Sequence, residues 1–406
     1  MRIILCFHYS IIPPSRYSMV CFYPVVSQKM RICIITSSYP SRSDDFVQAP
    51  FLIEFIEGLK KRGHEIFVFT QGREGLKEQF LEGVQVKWFR WMGSGRPLVQ
   101  LNVFHPLDFL RIISLFYQGR GALLPFLREN RIEACLALWV LPGGYFANYA
   151  FRMTRIPYSV WALGSDIYRY GTNPFLYRVM KRVIEEAKGV FADGFDLAKR
   201  VETRFQRKCF FLATTRGLPG KKAATQSGSI RPGRFLFVGR LEKVKGIDLL
   251  LRSMALLKEE GKEAHLTIVG KGSLENWAKD FVGQNGLGPS VTLLGNVPDE
   301  TLVSLYTSSD CVVIPSRLES IPVVFSEALS FDREMIVADV GDLGALGREY
   351  GVAHVVPPED PPALKEAMKD RLDRMGRKTG ENEKRAELKR LFGTETSVER
   401  FLADYS

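Results

Sequence analysis

Two hydrophobic periods alternate along this chain. Short, nearly continuous apolar runs such as "RICIITS" from Arg31 and "IFVFT" from Ile66 end in polar turns, the pattern of strands buried on both faces. Between them lie segments with apolar residues at helical spacing. In "PFLIEFIEGLKKRGHE", Phe51, Leu52, Phe55, Ile56 and Leu59 share one face and Arg62-Gly63 stops the helix. The alternation continues through "VQVKWFR", "FLRIISLFYQGRGALLPFLREN", "IEACLALWV", "YFANYAFRM", "PYSVWAL", "PFLYRVMKRVIEEAK", "GVFADG" and "KCFFLAT".

The rhythm breaks at residues 217–234, "GLPGKKAATQSGSIRPGR", where large apolar residues nearly vanish, a linker composition. It restarts with "RFLFVGR", "IDLLLRSMALLKEEG", "AHLTIVG", "VTLLG", "DCVVIPS", "VVFSEALS" and "EMIVADV". Strands spaced by helices of this length predict an α/β protein with a parallel, doubly wound sheet in each half. The chain therefore divides into a Rossmann-like domain over 30–216, the linker over 217–234, a second Rossmann-like domain over 235–388 and a closing helical segment over 389–406. "VERFLADY" in that tail has an apolar face that has to dock. Residues 1–29 hold apolar runs broken by His8, Pro13-Pro14, Arg16 and Pro24, and Met30 opens the first proper strand. That stretch reads as an upstream extension or a misassigned start. Ligands of such sheets bind at the carboxyl ends of the strands, so the cleft between the halves is the expected site.

Composition adds one departure. Hydrophobic content of 46% and charged content of 25% are ordinary for a soluble protein, but the 406 residues carry a net charge of +11. Such a balance suits an anionic partner: a nucleotide or sugar phosphate, a nucleic acid, or an anionic membrane face. Eight Lys and Arg fall between Lys199 and Lys222 against Glu202 alone. A solvated face and an anion-binding face are both open for that cluster. The six cysteines are scattered without a C-x-x-C, and the five histidines lack metal-ligand spacing. This argues for a reducing cytosol and against a zinc site. "ACLALWVLPGGYFANYAF" from Ala134 has no charge, but Pro-Gly-Gly splits it, so it reads as strand, turn and helix start instead of a membrane span.

Candidate chemistry concentrates in the second half. In "FLFVGRLEKVKGIDLLL" a strand ends at Gly239, and Arg240 and Lys245 occupy the loop before a helix starting near Gly246. Two cations beside a helix amino terminus suit a diphosphate; an ordinary basic surface loop is the alternative. "IVGKG" places Gly270 and Gly272 in a strand–helix turn, a weak signal alone. No G-x-G-x-x-G and no Walker A sequence is present. In "PSRLESIPVVFSEAL" Glu319 sits on a strand-end loop and Glu327 one turn into the following helix. Carboxylates accept hydrogen bonds from sugar and ribose hydroxyls, and Ser320, Ile321, Pro322, Val323 and Val324 lie between them, all but Pro322 with a backbone N–H to offer. Simple solvation and helix capping remain the competing reading.

Together these pieces resemble glycosyltransferase family 4. "GR-x4-KG" at 239–246, "IVG-x-G" at 268–272, "LG-x-VP" at 294–298, "PS-x2-E-x7-EAL" at 315–329 and "DVG" at 339–341 come in that family's order and spacing. The opening βαβ pattern and "WVLPGGYFANYAFRMTRIPYSVWALGSDIY" look like its amino-terminal half. The resemblance implies a GT-B fold, two Rossmann-like domains facing across a cleft, with a final helix returning to the first domain. It implies a retaining hexosyltransferase that uses a UDP- or GDP-linked sugar as donor substrate, with no further cofactor and no metal. Arg240 and Lys245 match the donor-diphosphate pair. Glu319, the candidate catalytic residue, matches the carboxylate on the transferred sugar, and Glu327 the one on the ribose. Amides from Ile321 to Val324, beside Ser320, would meet sugar or phosphate. Gly270 and Val297 fall near the nucleobase, and Gly164 and Asp166 in the amino-terminal side of the cleft.

The departures bear on that carry-over. Leu163 stands where the family often has histidine, Leu138 ends a strand that often bears one, and Ser320-Ile321-Pro322 replaces a Gly-Phe-Gly loop. Asp332 and Glu334 stand where glycine and proline are typical. Expected partners are the nucleotide sugar, a glycan or lipid-linked acceptor hydroxyl and an anionic membrane surface, with the chain cytoplasmic or peripheral at the inner membrane face. "NVFHPLDFLRIISLFYQGRG" suits such a surface or a core helix. A nucleotide-sugar-binding protein without transfer and a nucleotide-sugar 2-epimerase-like isomerase are the alternatives. Nucleic-acid binding has no module signature to support it.

Overall fold

The computed structural model describes residues 29–39, 49–72, 83–94, 98, 101–102, 105–170, 173–218, 233–374 and 383–405. All but the last residue of the 1–29 extension, most of the 217–234 linker, and Lys221 and Lys222 lie outside the described residues.

The first half alternates as its periodicity predicts. It runs β1 (Arg31–Thr36), α1 (Phe51–Lys61), β2 (Glu65–Gln71), β3 (Gln85–Phe89), α2 (Pro106–Glu129), β4 (Ala134–Leu138) and α3 (Tyr145–Thr154). Then come β5 (Tyr158–Ala162), α4 (Ser165–Tyr170), α5 (Pro174–Glu185), β6 (Val190–Ala192), α6 (Phe195–Phe205) and β7 (Phe210–Phe211). All strands are parallel in the order β3-β2-β1-β4-β5-β6-β7. The central strands are buried along their whole length because helices cover both faces, which is why they read as continuous apolar runs. "KCFFLAT" contributes only the two-residue edge strand β7, since one side of it has no neighbour to pair with.

The second half comprises β8 (Arg234–Val238), α7 (Ile247–Glu259), β9 (His265–Val269), α8 (Glu275–Gln284), β10 (Val291–Gly295), α9 (Asp299–Ser308) and β11 (Cys311–Ile314). It continues with α10 (Val323–Ser330), β12 (Glu334–Ala338), α11 (Leu343–Tyr350), β13 (Ala353–Val356), α12 (Pro361–Asp373), α13 (Glu383–Leu391) and α14 (Thr394–Leu402). Its sheet is again parallel, in the order β10-β9-β8-β11-β12-β13. Strand order reverses between β8 and β11, so the loops leaving those two strands open side by side, the place where doubly wound sheets bind ligands.

The tail divides later than residue 389. α13 stays on the second domain beside α10 and α11, and the chain breaks at Phe392-Gly393 before α14 crosses back. There α14 packs on α1, with Val398, Phe401 and Leu402 fully buried. The Phe401 ring meets Phe55 at 5.8 Å, and Gly58 lets the two helices approach because a Cβ there would lie 2.8 Å from Val398. Each such side chain contributes about 1.5–3 kcal/mol of hydrophobic burial. Arg62 and Glu399 close the contact at 2.6 Å. Asp332 adopts φ +57°, a left-handed position that normally favours glycine, and its carboxylate pairs with Lys389 at 2.5 Å. The four described cysteines, Cys33, Cys135, Cys209 and Cys311, are buried and free.

Candidate functional site

The loop after β8 turns through Gly239 and the exposed Arg240 into a 3-10 turn at Lys243–Lys245. Gly246 closes that turn at φ +71°, and a Cβ there would lie 1.9 Å from the Pro315 carbonyl oxygen, so only glycine lets this loop lie on the loop after β11. The contact brings Lys245 and Glu319 together: the ammonium forms an ion pair with Glu319 Oε2, and Ser316 Oγ donates to the same oxygen at 3.4 Å.

Arg317, which sequence reasoning passed over, locks the two loops. Its guanidinium grips Asp248 Oδ1 and Oδ2 at 2.6 and 2.8 Å and donates to Lys243 O and Glu359 Oε1, both at 2.5 Å. Burial works against the Asp248 carboxylate, but the bidentate arginine more than offsets it and holds its pKa below the ordinary value. No local pattern in "PSRLES" announces a partner 69 residues away.

Behind Glu319 the chain passes Ser320 and the buried Ile321 and Pro322 into α10. Val323 packs toward the core of the first domain and Val324 toward that of the second. Phe325 N–H donates to Pro322 O at 2.9 Å, whereas the N–H groups of Val323 and Val324 open α10 without an intrahelical acceptor, which suits an anion. Glu327 is buried in this helix: Tyr306 Oη donates to Oε2 at 2.6 Å and Arg216 Nη1 reaches Oε1 at 3.5 Å. Burial raises the pKa of Glu327, and Arg216 opposes the rise. Arg216 also pairs with Asp299 at the start of α9. Gly270 lies against Gly239, a Cβ on it falling 1.9 Å from the Gly239 oxygen, so its turn backs the Arg240 loop. Val297 packs against the core cluster of the second domain to which Tyr306, Ile321 and Phe325 belong.

Across the cleft, Gly164 has φ +86° and opens the short helix α4. Asp166 is buried there, its Oδ2 accepting from Val140 N at 2.5 Å, and burial pushes its carboxyl up to about 6. Two residues not singled out from sequence meet beside it, one from each domain. Asp193 follows β6, and Asp342, from the second domain, accepts Asp196 N–H at 3.0 and 3.1 Å on its two oxygens. The second domain thus caps the amino terminus of α6. A Cβ on Gly194 would fall 2.2 Å from Ser320 Oγ and 2.6 Å from Asp342 Oδ2. Alanine would displace only two side-chain tips, so valine is the stronger wedge. Gly194→Val is expected to separate the domains, raising the radius of gyration in small-angle scattering; an unchanged scattering curve would show that this contact does not hold the cleft closed.

Most of the Lys199–Lys222 cluster that the structure describes is engaged locally. Arg200 pairs with Asp196 at 2.5 Å, Arg204 lies over Tyr177 at 5.4 Å, Lys208 over Phe210 at 4.8 Å, and Arg207 donates to Ala187 O at 2.8 Å. Among the described residues no group of His, Cys, Asp and Glu could hold a metal ion, and no helix is long and apolar enough to cross a membrane.

Residues 226–389 match the family model described as Glycosyl transferases group 1. A 108-residue segment is 41% identical to an uncharacterized glycosyltransferase of Methanocaldococcus jannaschii, covering 27% of this chain and 27% of that protein. The matched segments span 27% to 40% of the length of the first curated relatives. Among solved structures, sucrose-phosphate synthase from Thermosynechococcus elongatus superposes with a TM-score of 0.72 at 17% identity, over 92% of this chain and 98% of that one. HepE of Anabaena in complex with UDP gives 0.64 at 14% identity, over 93% and 99%. The fold is therefore GT-B, with two parallel-sheet Rossmann-like domains.

Proposed function

We propose that this chain is a retaining glycosyltransferase that moves a hexose from a UDP- or GDP-linked sugar to a hydroxyl of a glycan or lipid-linked acceptor, in cell-surface polysaccharide or glycolipid synthesis. The observation that carries the reading is the meeting of Lys245, Glu319 and the amino terminus of α10 at the strand-order reversal of the domain that matches the family model. That a structural neighbour was solved with UDP supports a nucleoside-diphosphate leaving group.

The arrangement suits the chemistry. Negative charge grows on the diphosphate as the anomeric C–O bond breaks, and fixed cations and amides already aimed at it lower the barrier. Arg240, Lys245 and the free N–H groups at Val323 and Val324 are the groups for that task. An incoming diphosphate competes with Glu319 for the Lys245 ammonium, which releases the Glu319 carboxylate to accept sugar hydroxyls. Glu327 has lone pairs beyond those used by Tyr306 and Arg216, and these would take the ribose hydroxyls.

The test is nucleoside-diphosphate release from UDP-, GDP- and ADP-sugars, with and without a membrane extract as acceptor, followed by the anomeric configuration of the product. Acceptor-stimulated release from one donor supports transfer. Donor binding without acceptor-dependent release would favour a nucleotide-sugar-binding protein, and an inverted product would remove the retaining assignment.

An anionic membrane surface belongs to the same reading. On α2, Leu107, Phe109, Leu110, Ile113 and Tyr117 are 48% to 76% exposed, and 109, 110, 113 and 117 fall on one helical face. A bilayer interface is the surface that covers such a stripe beside a cationic protein. Flotation with anionic vesicles should recover the protein, and Phe109→Ser with Ile113→Ser should reduce recovery severalfold. Equal recovery for both proteins would remove α2 from the contact.

A further inference from the structure

Three buried polar atoms on the elements that border the cleft make no hydrogen bond of good geometry: Asp166 Oδ1, Asp193 Oδ1 and Ser320 Oγ. Their residues are only 1%, 8% and 9% exposed. Buried polar groups are nearly always hydrogen-bonded, so one left without a protein bond beside a ligand cleft is open to a water or to a polar group of the ligand. Two of the three stand at carboxyl ends of adjacent strands in the first domain, and the third is on the Glu319 loop of the second. Ser320 Oγ reaches the backbone beside Asp193, since a Cβ on Gly194 would lie 2.2 Å from it. Asp342, by contrast, is already engaged as the cap of α6.

Asp193 also stands next to the position where an imidazole was expected. Its N–H donates to Ala162 O at 3.2 Å, so it lies one strand over from Leu163, whose side chain packs on the core of the first domain and offers no hydrogen bond. We propose that Asp193 hydrogen-bonds a hydroxyl of the hexose carried by the donor, with Ser320 and Asp166 completing the cradle. The proposal rests on the transferase reading and deepens it.

The electrostatics give Asp193 a particular role. Burial pushes its carboxyl up to about 8, and the charges of Glu319, Asp166 and Asp342 add to the rise; Ser320 pulls it back in part without forming a bond of good geometry. At neutral pH the group therefore holds a proton and can donate. The other titratable groups that sense it are Tyr168 on α4 and Cys209 before β7.

Calorimetry with UDP and UDP-glucose, GDP and GDP-mannose, and ADP and ADP-glucose separates the possibilities. In the wild type one pair should bind, with the sugar form the tighter. Asp193→Ala should weaken the sugar form about tenfold and leave the nucleoside diphosphate unchanged, as for one lost hydrogen bond. Asp193→Asn, which keeps a neutral donor of the same shape, should retain the preference. The wild-type preference should change as pH rises through about 8, where the Asp193 donor becomes a carboxylate, and the Asn variant should stay flat. Equal weakening of both ligands, or of neither, overturns the proposal. So does an Ala variant that keeps the donor preference but raises KM for acceptor, which would give the cradle to the acceptor. If no nucleoside diphosphate binds the wild type, the transferase reading fails and this one with it.

Discussion

Lys245→Ala is expected to lower kcat/KM for the donor by roughly 10²–10³, the loss typical of removing one preorganised group that stabilises charge in the transition state. Two effects combine. The diphosphate loses a cation fixed at the strand end, and Glu319 loses the ion pair that holds its carboxylate on the loop. Glu319→Gln separates them, because it leaves Lys245 in place and removes the charge that competes for it. The exposed Arg240 offers a comparison on the same loop: Arg240→Ala should act mainly on KM, as a looser contact binds ground and transition states alike. Nucleoside-diphosphate release at saturating and limiting donor gives the two constants. A Lys245→Ala protein that keeps kcat/KM within about threefold of wild type would refute the assignment of this loop to the diphosphate.

The second large effect concerns stability. Glu327→Ala should destabilise the protein by about 1–3 kcal/mol, since it leaves the buried Tyr306 hydroxyl without its acceptor and removes one of the two carboxylates on Arg216. Glu327→Gln keeps an acceptor for Tyr306, and Arg216 retains Asp299, so its loss should be smaller. Urea unfolding measures both. The ribose assignment is tested separately, by comparing a ribose with a 2′-deoxyribose nucleotide on the Gln variant. Unaltered discrimination between the two would make Glu327 a structural carboxylate that only ties the interdomain crossing to α9 and α10. Arg216 lies in that crossing, so the destabilised Ala variant should also loosen the domains.

Much of this protein is legible in its local pattern. Apolar runs of four to seven residues and helical spacing between them give the two doubly wound halves, because a strand covered on both faces and a helix covered on one have different periods. Turn chemistry was legible too: Gly246 reads as a helix start, and its left-handed backbone with Pro315 alongside is the reason glycine is required. The paired carboxylates of "ESIPVVFSE" could be picked out as site candidates by residue type and spacing alone.

Partnerships were not legible, because they depend on which strand ends become neighbours. The order β8–β11 sets Lys245 on Glu319 across 74 residues and Arg317 on Asp248 across 69. Arg216 looked like one more cation in a basic cluster, yet the crossing between domains buries it against Glu327, 111 residues on. Asp342 and Asp193 lie on opposite sides of the cleft, and no periodicity relates them. A helix amino terminus capped by a residue 146 positions away exists only once the two sheets face each other. Local pattern settles which segments become strands, helices and turns, since those energies act over a few residues. Which charges neutralise one another, and which are left to meet a ligand, is decided by strand order and domain packing, since burial and Coulomb terms act across whatever the fold places within a few ångströms.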